Sequence, residues 1–285
     1  MNSDSPSITA FLTAAARAVH AEVDGEPLIL DDPVALRLLG DQVPDFLWYQ
    51  REYPAHPLMA QGRADVLCRT RWVEDVLAAG VEDGVDQYVL LAAGLDSFAH
   101  RNPLAARVRT FELDHPASQA WKTRAVEEQQ IPALGDLVHL PVDLEHDDPV
   151  DRLVGGGFDL SRRAVVSWMG CTVYLTREAI SATLASLARL ASGSEVLFDC
   201  MAPLAEDAGA AAAERAGAMN VAMTKWGEPW RSPLNHENVG ALLAEAGLHR
   251  VEYLSTRDAV PPETWERNDA LSANPRSWLV RAAVA

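Results

Sequence analysis

The side chains best placed to do chemistry stand at the ends of two predicted strands. Tyr88 to Ala93 is an unbroken apolar run that stops at Gly94, and Asp96 and Ser97 follow as candidate helix caps. A strand apolar throughout is buried on both faces, as central parallel strands are. Gly94 lets the chain turn sharply off that strand. About twenty residues further on, Thr110-Phe-Glu-Leu-Asp114 reads as a second strand ending in an acid. Ligands of open α/β sheets bind outside the carboxyl ends of the strands, and an acid ending the second strand is placed to grip a nucleoside ribose.

Other reactive residue types carry weaker patterns. His115 follows Asp114 and can be read as a general base or as the residue that begins the next helix. Asp143, Glu145, Asp147 and Asp148 surround His146 in an acidic turn. Their spacing fits no ligand set for zinc or calcium, so a solvated loop and no metal are expected. Arg69 and Arg71 lie two apart on a predicted helix and face different directions, so one can point inward and the other into water. Cys68, Cys171 and Cys200 form no CxxC pair, which predicts reduced thiols. Neither GxGxxG nor GxxxxGK[ST] occurs, and the turn Ala93-Gly94-Leu95-Asp96-Ser97 has one glycine. A ligand without a pyrophosphate needs less of that apparatus, and S-adenosylmethionine is such a ligand.

The elements that must position these groups alternate. Residues 1–85 read as an N-terminal helical cap. It holds an Ala-rich helix from Ile8 to Glu22, a short helix launched at Pro33 with Asp32 as cap, and a helix from Arg63 to Ala79. Residues 41–60, with Pro44, Pro54 and Pro57 among Trp48, Tyr49 and Tyr53, read as an irregular aromatic segment that packs the cap or lines a pocket. From residue 86 to 285, strands at 88–93, 108–113, 137–141, 163–168, 195–199, 249–254 and 277–283 alternate with helices at 97–106, 116–130, 147–153, 176–190 and 237–246. A helical insertion at about 203–232 includes a helix from Ala205 to Val221. This pattern predicts an α/β fold with a doubly wound, Rossmann-like, seven-stranded sheet, mostly parallel with an antiparallel C-terminal strand.

Bulk properties narrow the function classes. The 285 residues carry 41 acidic and 24 basic side chains, a formal net charge of -17, and no segment concentrates Lys and Arg. Nucleic acid is therefore not an expected partner. With 48% hydrophobic residues the chain can bury a core, and its apolar runs are too short for a membrane span. The start lacks the layout of a signal peptide, so a soluble cytoplasmic protein is expected.

Six segments, AAGLDSFAHR, FELDHPASQAWK, PVDLEHD, SWMGCTVYLT, SGSEVLFD and GEPWRS, occur in this order. Together they resemble the leucine carboxyl methyltransferase-like group of S-adenosylmethionine-dependent methyltransferases, which includes many bacterial small-molecule O-methyltransferases. The resemblance implies S-adenosylmethionine as cofactor, S-adenosylhomocysteine as product and a small-molecule acceptor; the aromatic segment at 41–60 suggests an apolar, ring-bearing one, in a natural-product, polyketide-like setting. It implies that Gly94 passes close to the cofactor's methionine part, that Asp114 accepts hydrogen bonds from both ribose hydroxyls, and that Asp143 and Leu144 frame the adenine. Arg69 would bind the methionine carboxylate, Trp168 to Gly170, Met169 among them, would flank the methyl group, and Tyr174 would lie near the substrate. The group usually has glycine where Ala92 stands and often glutamate where Met169 stands. A carboxylate acceptor would need no general base; a phenol or alcohol would make His115 a candidate. The alternatives are an enzyme that uses the bound cofactor in a non-methylating reaction and a catalytically inactive regulatory homologue.

Overall fold

A computed structural model describes residues 7–40, 43–205, 207 and 209–285. Five β-rich runs, β1 (Gln87–Leu91), β2 (Arg109–Asp114), β3 (Asp136–Pro141), β4 (Ala164–Trp168) and β5 (Glu195–Met201), pair in parallel. The last two strands are β6 (Leu248–Ser255) and β7 (Ser277–Val284), and β7 is antiparallel to both β5 and β6. The order β3-β2-β1-β4-β5-β7-β6 is the expected doubly wound sheet. The chain winds outward from β1 through β2 to β3, then returns to lay β4 on the other side of β1. A crevice opens at such a reversal, outside the carboxyl ends of the strands.

Alternation along the strands divides the core into two faces. Val89, Leu91, Phe111, Leu113, Val166, Trp168 and Phe198 pack on one side. They meet α7 (Pro149–Gly155), α8 (Arg177–Leu187) and α10 (His236–Ala246). Tyr88, Leu90, Val165 and Leu197 face the other way, against Leu67, Trp72, Val73 and Leu77 of the long helix α4 (Pro57–Glu82). Each such large side chain, fully buried, contributes about 1.5–3 kcal/mol relative to exposure. The face can carry only one register of the strand without turning its apolar set outward.

Helix α1 (Ile8–Val23) buries Phe11, Ala14, Ala15 and Val19 against Leu47 and Leu95, and so lies over the turn that follows β1. Its inner end is fixed by Arg17, whose Nε donates to Asp32 at 2.8 Å and whose Nη2 donates to the Leu95 carbonyl at 2.6 Å. Asp32 also accepts from the amides of Val34 and Ala35, ahead of the short helix α2 (Ala35–Leu38), whose cap position is Val34 and not Asp32.

Three further expectations are corrected. The segment 41–60 is not irregular over its described part: α3 (Val43–Glu52) is a helix, and α4 starts at Pro57, where proline suits a first turn. Residues 41 and 42 lie outside the described residues. The single helix expected over 97–106 is broken at Asn102. Pro103 follows there, so α5 (Phe98–Arg101) ends and a separate 3₁₀ turn runs from Pro103 to Ala106. The insertion helix is α9 (Ala210–Lys225), a turn later than expected, with residues 206 and 208 outside the described set. Helix α6 (Pro116–Glu128) follows β2 as predicted.

Candidate active site

A cavity of about 390 Å³ opens at the carboxyl ends of β1, β2 and β4. Its walls come from α1, α4, the turns after those strands, and a loop at 227–231. Ala92, Gly94, Asp114, His115, Asp143, Leu144, Arg69, Met169 and Tyr174 all line it. Nine of the ten residues expected in a site are thus brought together (all but Trp168).

Trp168 is the exception. It is fully buried in the core beside Phe198, with ring centroids 6.1 Å apart. The cause is parity: Ala164, Val166 and Trp168 point to one face of β4, whereas Ser167 and Met169 line the cavity.

Asp114 ends β2 and is 9% exposed. One carboxylate oxygen accepts from the Gly94 amide and the other from the His115 amide at 2.6 Å. Burial pushes its carboxyl up to about 6, against the pull of those two amides. Each oxygen keeps acceptor capacity beyond one backbone amide, which suits a vicinal diol. Gly94 has φ +51°, and a Cβ there would stand 3.1 Å from Cβ of Ala10 on α1. The close approach of α1 and the left-handed backbone together favour glycine there. Ala92 has φ +55°, a left-handed conformation held by a residue with a Cβ.

Arg69 on α4 donates from Nη1 to Asp199 at 2.7 Å, and Asp199 also accepts from the Gly170 amide at 2.6 Å. The guanidinium lies over Gly170, where a Cβ would approach Nη2 to 2.5 Å. Arg69 and Asp199 are about one-sixth exposed, so the fork is held in place at the cavity edge. Tyr174 lines the same end with Thr9 and Glu228 as neighbours, and burial pushes its phenol up to about 12. It is a neutral donor at physiological pH.

The acidic turn is at the opposite end. Asp143 accepts from the Glu145 amide at 3.0 Å and from His146 Nδ1 at 2.9 Å. Burial works to raise its carboxyl, yet those hydrogen bonds bring it below the usual range. His115 lies near Asp114 and Asp143, and its Nδ1 accepts from the Ala117 amide at 3.4 Å as the cap of α6. Among the described residues no group of three or more His, Cys, Asp or Glu side chains is arranged to hold a metal. Trp48 and Tyr49 on α3 and Tyr53 just after it are exposed, with both tyrosine rings edge-on to Trp48, and do not line the cavity.

Sequence reasoning missed Glu228, Arg17 and Asp199. Glu228 lies in the GEPWRS segment, is 5% exposed, and accepts from the amides of Ile8 and Thr9 at 3.1 Å each. The motif was visible, but its partner lies 220 residues away in the chain. Asp199 closes the SGSEVLFD segment, where an acid at a strand end was the available signal.

The chain is similar to known proteins in sequence and in fold. The chain is 28% identical over 295 residues to YktD of Bacillus subtilis (strain 168), assigned to the S-adenosyl-L-methionine-dependent methyltransferases, with 96% of each chain covered. It is 34% identical over 183 residues to a protein of Mycobacterium avium (strain 104) with the same assignment, covering 60% of this chain and 57% of that one. Its fold is similar to that of a DUF574 family protein from Streptomyces avermitilis, with TM-score 0.61, 17% identity and 98% of both chains covered. It is also similar to a structure from Thermobifida fusca YX, with TM-score 0.60, 17% identity, and 98% of this chain and 95% of that one covered. The family described as leucine carboxyl methyltransferase matches residues 10–188, more than half of the sequence. The chain belongs to that family.

Proposed function

We propose that this chain is an S-adenosylmethionine-dependent O-methyltransferase acting on a small molecule. The observation that carries the reading is Asp114: a buried carboxylate at the end of β2, fixed by two backbone amides and lining the cavity. Asp114 holds the ribose, Asp143 and Leu144 the adenine, and Arg69 the methionine carboxylate. The relatives assigned to S-adenosylmethionine-dependent methyltransferases support the same cofactor. When bound, that cofactor supplies a methyl group on a positively charged sulfur, an excellent leaving group. The chain's own work is then alignment and exclusion of water: α1 and the loop at 227–231 cover the cavity, and Met169, Gly170 and Tyr174 shape its transfer end.

The acceptor is better read as a hydroxyl than as a carboxylate. With Arg69 assigned to the cofactor, the two other arginines lining the cavity already face acids, Arg17 with Asp32 and Arg231 with Glu145. Asp96, Asp114, Asp143, Glu145 and Glu228 line it too, an acidic surround that suits a cationic cofactor and repels a second anion. Tyr174, neutral at pH 7, donates to the acceptor and takes no proton from it. His115 is occupied at the nucleoside end, so it is not the base, and the acceptor hydroxyl passes its proton to solvent water as the methyl is transferred. The polyketide-like setting rests on the resemblance, since the exposed aromatics of α3 do not support it.

Methyl transfer to matched phenols and benzoic acids, read by mass spectrometry, tests this reading. Methylated phenols with inert acids are expected. Methylated acids alone would move the acceptor to carboxylates. Cofactor binding with no S-adenosylhomocysteine formed from any acceptor would favour the non-methylating or inactive alternatives.

A further inference from the structure

The two ends of α1 are held in different ways. Toward its C-terminal half, Arg17 is buried and joined to Asp32 and the Leu95 carbonyl. At its first turn, the Ile8 amide donates to Glu228 Oε1 and the Thr9 amide to Glu228 Oε2. These are two of the donors that a helix leaves without internal partners, and a carboxylate there also meets the positive end of the helix dipole. Ser7 caps the Ala10 amide, and its own amide donates to Ser118 Oγ at 3.2 Å. The loop that supplies Glu228 is itself anchored. The Glu228 amide donates to the Met223 carbonyl and the Trp230 amide to Asn220 Oδ1. The Arg231 and Ser232 amides both donate to the Val173 carbonyl, beside Tyr174.

Ser7, the cap of α1, and Thr9, Ala10 and Thr13 within it, together with Glu228 and Tyr174, line the cavity. The first turn of α1 thus covers the cavity, and beside the Ser7–Ser118 bond and the packing of Phe11 against Phe46 and Trp121 its polar tie to the body of the protein is one carboxylate on a separate loop. We infer that Glu228 is a positioning residue, a latch that fastens the first turn of α1 over bound cofactor and is released for cofactor to enter and leave. The inference rests on the cofactor reading of the cavity. A covered site must open for exchange, and the bidentate link is the contact whose loss frees the first turn while Arg17 keeps the rest of α1 docked.

The test uses S-adenosylhomocysteine as the probe with the full chain. Its dissociation rate is measured by stopped-flow displacement, together with hydrogen exchange at the amides of residues 8–10. Glu228→Gln, which keeps one acceptor oxygen, is expected to raise the dissociation rate at least about tenfold and to speed exchange at those amides. Glu228→Asp, charged but shorter, is expected to fall between Gln and wild type. Ile8→Pro removes one of the two amides from the other side and leaves Glu228 intact, at a helix position proline tolerates. It too is expected to speed release, and it keeps the test open if the Gln variant does not fold. Unchanged dissociation in the folded variants, even with faster exchange or a lower melting temperature, would make Glu228 a structural cap and overturn the latch. Failure of the wild type to bind the probe would instead overturn the cofactor reading, and the latch with it.

Discussion

Asp114 sets the terms at the scale of single residues. Its carboxyl titrates at about 6 in the folded chain against an ordinary 3.8, because burial outweighs the two amides that favour its charge. Between those values the folded state binds the extra proton, so this group adds stability as pH falls from 6 toward 4 and costs stability when ionised above 6. Asp114→Asn should therefore gain on the wild type in denaturant unfolding as pH rises from 5 to 7; a difference that stays constant would show that the group does not titrate there. Ribose binding needs the carboxylate, so affinity for S-adenosylhomocysteine should fall about tenfold per pH unit below 6, by titration calorimetry. Ala92 is the second residue of interest. Its φ of +55° costs about 1–2 kcal/mol for an L-residue with a Cβ, and glycine gives back part of that in unfolded-chain entropy. Ala92→Gly should then stabilise by roughly 0.5 kcal/mol, and a clear loss of stability would show that its methyl packs more than its backbone strains.

The elements place the arginine. Arg69 is held by Asp199, from β5, while its guanidinium rests over the glycine after β4. Gly170→Ala puts a Cβ 2.5 Å from Nη2 at a φ of +69°, so the fork must move. Cofactor affinity should fall at least about tenfold with the sheet intact by circular dichroism; wild-type affinity would mean Arg69 does not bind the methionine carboxylate. Much at this scale was legible beforehand, because apolar runs, caps and glycines are local signals. The strand set and Asp114 at the end of β2 both follow from neighbours within a few residues. Trp168 was misplaced because a motif names a stretch, whereas strand parity decides which of its side chains reach the site. The aromatic segment misled because its prolines suggested breaks, yet Pro57 sits where a helix begins. Glu228 and Asp199 could not be assigned roles, since their partners come from α1 and α4 and only the folded chain brings them together.

The whole molecule is an acidic α/β protein with its cavity at the reversal of the sheet and α1 as cover. No helix among the described residues is long and apolar enough to cross a membrane. The excess of acid continues into the cavity, where the three lining arginines are each matched by an acid, and this favours a cation as the bound group. The family match extends over residues 10–188, the part that supplies α1, Arg69, Asp114 and Asp143; the loop with Glu228 lies beyond it. The central claim is that this cavity binds S-adenosylmethionine through Asp114. Calorimetric titration of the wild type and Asp114→Ala with S-adenosylmethionine and S-adenosylhomocysteine tests it most directly. Saturable binding of both by the wild type, weakened at least about a hundredfold in the variant, is the predicted result. No binding by the folded wild type, or equal binding by the variant, would contradict the account.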